Sequence, residues 1–236
     1  MKDEEIDDVL NKAAQAPDDL DPQVLGSITA SIRTSLQPVR ALPPGWILTA
    51  GLVVVCAAIS LAGAMRLGFF GFQKMDLLER WIVFPVLAVL TWLAATTFVD
   101  QMIPASRQRF RPAAFSGFVV IALLAMFAML FRDHQIDHFV SAGVACLATG
   151  VLHAIPAGLL GWLLLHRGFA VNSTTAGWVA GTLAGLAGIG MLELHCPNFE
   201  AAHILVWHIA VVPVSGALGG LTGWAIRLPW LAGNKH

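Results

Sequence analysis

Apolar residues in this chain come in long unbroken runs, and polar residues collect between them. The runs lie at 46–65, 81–99, 113–131, 139–165, 174–194 and 203–226. Each is close to the ~20 residues a helix needs to cross the hydrocarbon core of a bilayer. Backbone groups there have no water to bond, so a spanning segment is a helix or part of a closed barrel. Barrel strands alternate apolar and polar residues over about ten positions, and these runs do not alternate. The pattern therefore predicts an all-α membrane protein. Its expected parts are a short cytoplasmic helical segment over 1–45, a six-helix transmembrane bundle over 46–228 and a cytoplasmic tail over 229–236.

The polar segment before Trp46 has a pattern of its own. Ile6, Val9, Leu10 and Ala13 fall on one helical face, at i, i+3, i+4 and i+7. A second helix is expected from Asp21, with Pro22 at its first position and Leu25, Ile28, Ile32 and Leu36 as its apolar face. Two helices of about 12–15 residues are marginal alone, so these faces need a surface to pack on. The first helix is acidic, which disfavours anionic lipid. A cytoplasmic protein partner fits better, with Val9, Leu10, Leu25, Ile28 and Ile32 as its contacts. Asp and Glu crowd the start, and the first apolar run lacks a basic start and a cleavage site. It is expected to be an anchor, not a cleaved signal.

Charge adds an orientation. Only 12% of residues are charged, against about 25% in soluble domains. The net charge of -1 gives no field that would attract nucleic acid, so no direct nucleic-acid binding is expected. With the N-terminus inside, the inner side receives Arg33, Arg40, Arg107, Arg109, Arg111, Arg167, Arg227 and Lys235. The outer side receives Arg66, Lys74, Arg80 and Arg132. Basic residues favour the cytoplasmic side of a membrane, so both termini are expected inside. Gly177, Gly181 and Gly185 repeat at four-residue spacing, as do Gly216 with Gly220 and Gly219 with Gly223. Such glycines let helices approach closely in lipid. Contacts within the bundle are their expected use, and a homodimer through the same helices is the other.

Candidate chemistry collects in the last hairpin, which reads Glu193-Leu-His195-Cys196-Pro197-Asn198-Phe-Glu200-Ala-Ala-His203, with His208 further on. Thiolates and imidazoles together suit zinc, copper and similar ions. Cys146 lies seven residues into the fourth span from the same face, roughly 10 Å deep, so it can approach Cys196. Cys146, Cys196, His195 and His203 are the candidate metal ligands, and with His208 they form the candidate set for sensing a metal or an oxidant. The spacing matches no established metal signature, and a plain turn between two helices is the other reading. Cys56 sits mid-span among apolar residues, where a thiol is inert. His153 and His208 each precede a proline, Pro156 and Pro213, and either can satisfy carbonyls that the proline frees. Their depths differ by about two turns, which speaks against haem ligation by the pair. No hydrolase, metalloprotease or nucleotide-binding motif is present. No enzyme activity and no resident cofactor are expected.

The acidic N-terminal segment, the stretch Ser35-Leu-Gln-Pro-Val-Arg40-Ala-Leu-Pro-Pro44, and the six runs together resemble the NrsF-like family of bacterial membrane anti-sigma factors. The hairpin from Leu192 to Gly220 is similar to that family's C-terminal half, with its His-Cys-Pro, Val206-Trp-His208 and Ser-Gly-Ala-Leu-Gly-Gly stretches, and so is the Arg132-Asp133 pair. The resemblance implies a cytoplasmic N-terminal segment that holds an extracytoplasmic-function sigma factor at the inner membrane. It also implies release on a metal or oxidative signal, with a transition-metal ion as signal and not as cofactor. Cys146 and Cys196 match the family's sensing cysteines. The competing expectation is a small membrane transporter or metal-handling protein with a path lined by His153, His208 and Cys146.

Overall fold

The computed structural model describes residues 22–35, 43–103, 111–132, 139–167 and 172–232. Contacts divide the chain into two units, Met1–Leu42 and Pro43–His236. In the first unit the described residues form helix α1 (Pro22–Ser35). Proline at its first position is tolerated because the leading N–H groups of a helix have no partner within it. Ile28 and Ile32 on this helix are 49% and 52% exposed. Leu25 belongs to the same helix. Val9 and Leu10, with the helix expected around them, lie outside the described residues.

The second unit runs through α2 (Gly45–Leu67), the short α3 (Phe70–Lys74), α4 (Leu77–Met102), α5 (Pro112–Leu130), α6 (Phe139–Arg167) and α7 (Ser173–His195). A final rod begins as α8 (Ala201–His203), passes through a π-helical turn (Ile204–His208) and continues as α9 (Ile209–Ala232). No strand occurs among the described residues. Among the described residues, five helical stretches are long and apolar enough to cross a membrane: Gly45–Leu67, Leu77–Met102, Phe139–Leu165, Ser173–His195 and Ala201–Ala225. The third expected span is also helical, but its apolar stretch, Ala114–Leu130, is shorter.

Local chemistry sets several boundaries. Asp76 and Glu79 open α4 with a reciprocal cap: the Glu79 N–H donates to Asp76 Oδ1 at 2.7 Å, and the Asp76 N–H to Glu79 Oε2 at 2.9 Å. Asn172 caps α7 by accepting from the Thr175 N–H at 3.2 Å. Gly68 ends α2 with φ of 102°, a conformation that side chains rarely adopt.

Helix α7 is the hub, packed by every other long helix of the unit. Within its apolar window 83% of residues are buried, against 22% in α6. Its small residues explain this. A methyl group added at Gly185 would lie 2.8 Å from the Val212 Cα, and one at Gly177 or Gly181 would strike the Gly219 or Ser215 carbonyl. The Gly216 and Gly220 row packs against the Trp178 ring. The glycine rows of α7 and α9 thus meet within one chain, where backbone approaches backbone.

Gly181→Leu is expected to force α7 and α9 apart. Overpacking costs typically ~1–3 kcal/mol, and here the obstacle is backbone that cannot rotate away. The melting midpoint of the solubilised protein should fall clearly. Gly117, with nothing within 4 Å of an added methyl, is the control. Gly117→Ala should melt at or above the wild-type midpoint, since alanine is the better helix former. Equal midpoints for Gly181→Leu and wild type would refute the packing role.

Candidate functional site

The C-terminal end of α7 gathers the chain's unusual chemistry. Cys196 caps that helix, its N–H donating to the Leu192 carbonyl at 2.7 Å. Two turns into α6, Cys146 brings its sulfur to 3.4 Å from the Cys196 Sγ. His203 Nε2 stands 3.8 Å from the same Cys196 sulfur. One ligand atom from each of Cys146, Cys196, His203 and His208 lies within 4.8 Å of all the others. The two histidine rings meet edge to face, centroids 5.2 Å apart.

The π-helical turn makes this grouping possible. At 3.6 residues per turn, positions five apart diverge by about 140° around an α-helix. A π turn closes its hydrogen bonds over five residues, and here the Ile209 N–H reaches back to the Ile204 carbonyl. His203 and His208, five apart, therefore present their rings to one another.

Behind the cluster, His208 Nδ1 donates to Glu193 Oε1 at 2.7 Å, with both side chains fully buried. His208 Nε2, His203 Nδ1 and Glu193 Oε2 are buried without a hydrogen-bond partner. Each such orphan costs about 1–3 kcal/mol. The Cys196 thiol is held above the usual cysteine range, chiefly by its hydrogen bond with Cys146 and then by burial; His203 and His208 pull it the other way.

The loop that carries Cys196 is pinned from one side by the α2–α4 connection. His195 Nδ1 donates to the Gly68 carbonyl at 3.1 Å, and Lys74 Nζ to the Pro197 carbonyl at 2.9 Å. At Gly71 an added methyl would lie 2.6 Å from the Glu193 carbonyl oxygen and 2.7 Å from that of Cys196. Phe199 stacks on Phe131 at 5.4 Å. Beside the loop a cleft of about 570 Å³ is walled by Lys74, Glu79, Arg132, Pro197 and Glu200.

Of the residues singled out in the sequence, Cys146, Cys196, His203 and His208 come together. His195 does not join them, because its ring is turned to Gly68. Cys56 is buried in α2 and stands apart from the four. His153 corrects an expectation: its Nδ1 donates to the Thr149 carbonyl at 2.8 Å, whereas the carbonyl Pro156 leaves unpaired is that of Leu152, four residues before it. His208 likewise answers to Glu193, not to the carbonyl freed by Pro213. Glu193 opens the polar hairpin read from the sequence, but that reading assigns it no role. Its signal was an acid at the end of an otherwise apolar helix, but fifteen residues separate it from His208.

Two thiols and two imidazoles within this distance can take a borderline-soft divalent cation. The thiols alone can form a disulfide, for which the sulfurs close to about 2.05 Å. No curated protein and no solved structure matches the chain. The family model described as NrsF, negative regulator of sigma F, matches residues 33–230. That match takes in α2 to α7, the cysteine–histidine cluster and nearly all of the last helix, and the chain belongs to this family of negative regulators of a sigma factor.

Proposed function

We propose that this protein is a non-enzymatic anti-sigma factor that crosses the bacterial inner membrane six times with both termini in the cytoplasm. The segment before the first span holds an extracytoplasmic-function sigma factor. The cysteine cluster, at the periplasmic end, releases it on a metal or oxidative signal. Family membership carries the regulatory part of this reading. The 3.4 Å contact between Cys146 and Cys196 carries the sensing part.

The cluster draws on three elements: α6 through Cys146, the end of α7 through Cys196, and the final rod through His203 and His208. A ligand or a disulfide that draws these groups together favours whichever helix arrangement already holds them closest. The equilibrium shifts by the difference in affinity between two arrangements. In one of them the N-terminal segment grips its partner, in the other it does not.

The test is co-purification of the full chain with the sigma factor from membranes, before and after exposure to cadmium chloride or a thiol oxidant. Loss of the partner on exposure supports the reading. Failure to co-purify in any condition overturns it. Topology is checked separately. A reporter that works only in the periplasm, fused after His236, should be inactive, and activity would overturn the orientation.

A further inference from the structure

We infer that Cys146, Cys196, His203 and His208 form one closed four-ligand site for a divalent cation of the zinc and cadmium class, with Glu193 as the positioning residue for His208. The inference rests on the reading of this cluster as the sensing site and specifies its chemistry.

Size is the first argument. Zinc binds thiolate sulfur at about 2.3 Å and imidazole nitrogen at about 2.0–2.1 Å, in a tetrahedron. Neighbouring ligand atoms in such a shell are therefore about 3.3–3.8 Å apart. The pairs here are 3.4 Å for the two sulfurs and 3.8 Å for Cys196 Sγ to His203 Nε2, with every pair inside 4.8 Å. Closing the shell needs movements of about one ångström, which side-chain rotation supplies.

The histidines are the second argument. A disulfide would use the two sulfurs and leave both rings idle. Yet His203 and His208 are fully buried, and His208 Nε2 has no hydrogen-bond partner. Glu193 accepts a hydrogen bond from the His208 Nδ1–H, which keeps the proton on Nδ1 and leaves the Nε2 lone pair free to bind a cation. A carboxylate behind an imidazole is the usual device for orienting a metal-ligating histidine. His203 lacks such a support, so Glu193 acts through His208 alone.

The balance of the binding step is simple. One divalent cation enters, two thiols lose their protons, and the two imidazoles bind as neutral rings. The two protons pass to water. Four protein ligands leave no open coordination position, which suits sensing and not catalysis.

Cobalt titration of the full-length protein in detergent micelles tests this, with cobalt as the spectroscopic probe and zinc as competitor. One cobalt per chain is expected, with the intense visible bands of a tetrahedral ion, thiolate charge-transfer absorption, and full displacement by zinc. Glu193→Gln should weaken zinc binding about 10–100-fold while the saturated cobalt spectrum keeps its shape and stoichiometry. His208→Ala should weaken binding further and change the spectrum. An octahedral spectrum, no stoichiometric binding by wild type, or unchanged affinity in both variants would overturn the inference. The wild-type spectrum decides even where a variant fails to fold. If wild type binds no metal but a thiol oxidant still releases the sigma factor, the metal site falls and the sensing reading stands. If metal binds tightly and neither metal nor oxidant ever releases the partner, the site stands and the sensing reading falls.

Discussion

Cys146→Ser and Cys196→Ser are each expected to abolish signal-dependent release of the sigma factor, and the double variant is expected to be no worse than either single one. The two sulfurs stand 3.4 Å apart; a disulfide cannot form with one of them, and an ion held by both loses a thiolate and with it the link between α6 and the end of α7. Residues that act as a unit are strongly non-additive, so nothing remains for the second substitution to remove. Cys56 is the internal control. It is 3% exposed within α2 and outside the cluster, so Cys56→Ala should respond as wild type does. The readout is transcription from a sigma-dependent promoter in cells exposed to cadmium or to a thiol oxidant. Essentially all of the induction should vanish in the three cluster variants. A further drop in the double variant, or a block by Cys56→Ala alone, would show that the sulfurs do not act as a pair.

The approach of those sulfurs is legible in the sequence. Cys196 falls in a link between two apolar runs, and Cys146 sits about two turns inside the run that begins at the same face. Rise per residue alone puts them at similar depth. The helices were legible for the same reason: an apolar run without alternation has one acceptable conformation in lipid. The glycine rows announced close packing, though not which helix would meet which. Three features lay beyond the sequence. The π turn inserts a change of register that no hydrophobic period signals, and without it His203 and His208 would point about 140° apart. Glu193 and His208 pair across a turn whose geometry decides everything. His195, next to Cys196 in the chain, looked like a partner of that thiol; the last turn of α7 and the Gly68 carbonyl aim it elsewhere. Sequence neighbours were poor guides here because helix ends fix direction more tightly than proximity does.

The partner-binding segment gives the second large effect. Leu25→Asp combined with Ile28→Asp is expected to abolish co-purification of the sigma factor while leaving the helical bundle intact. Leu25 and Ile28 lie three residues apart on α1, and Ile32 continues the same face. Ile28 and Ile32 expose about half of their surface, at 49% and 52%. A helix of 14 residues is marginal on its own, so its apolar face needs a groove to fill. Burying a leucine or isoleucine side chain contributes about 1.5–3 kcal/mol. Forcing a carboxylate into the same groove costs several kcal/mol more. Even the lower figures together exceed about 4 kcal/mol, or roughly a thousandfold in affinity. Leu25→Ala with Ile28→Ala removes the apolar area without adding charge, so it should weaken binding less than the aspartate pair does. Both double variants should melt with the wild-type midpoint, since Leu25 and Ile28 belong to the unit before Pro43. Affinity is read by co-purification from membranes and by titration of the solubilised full chain with the sigma factor. Wild-type binding by the aspartate pair would remove α1 from the interface and leave the contact to other parts of the chain.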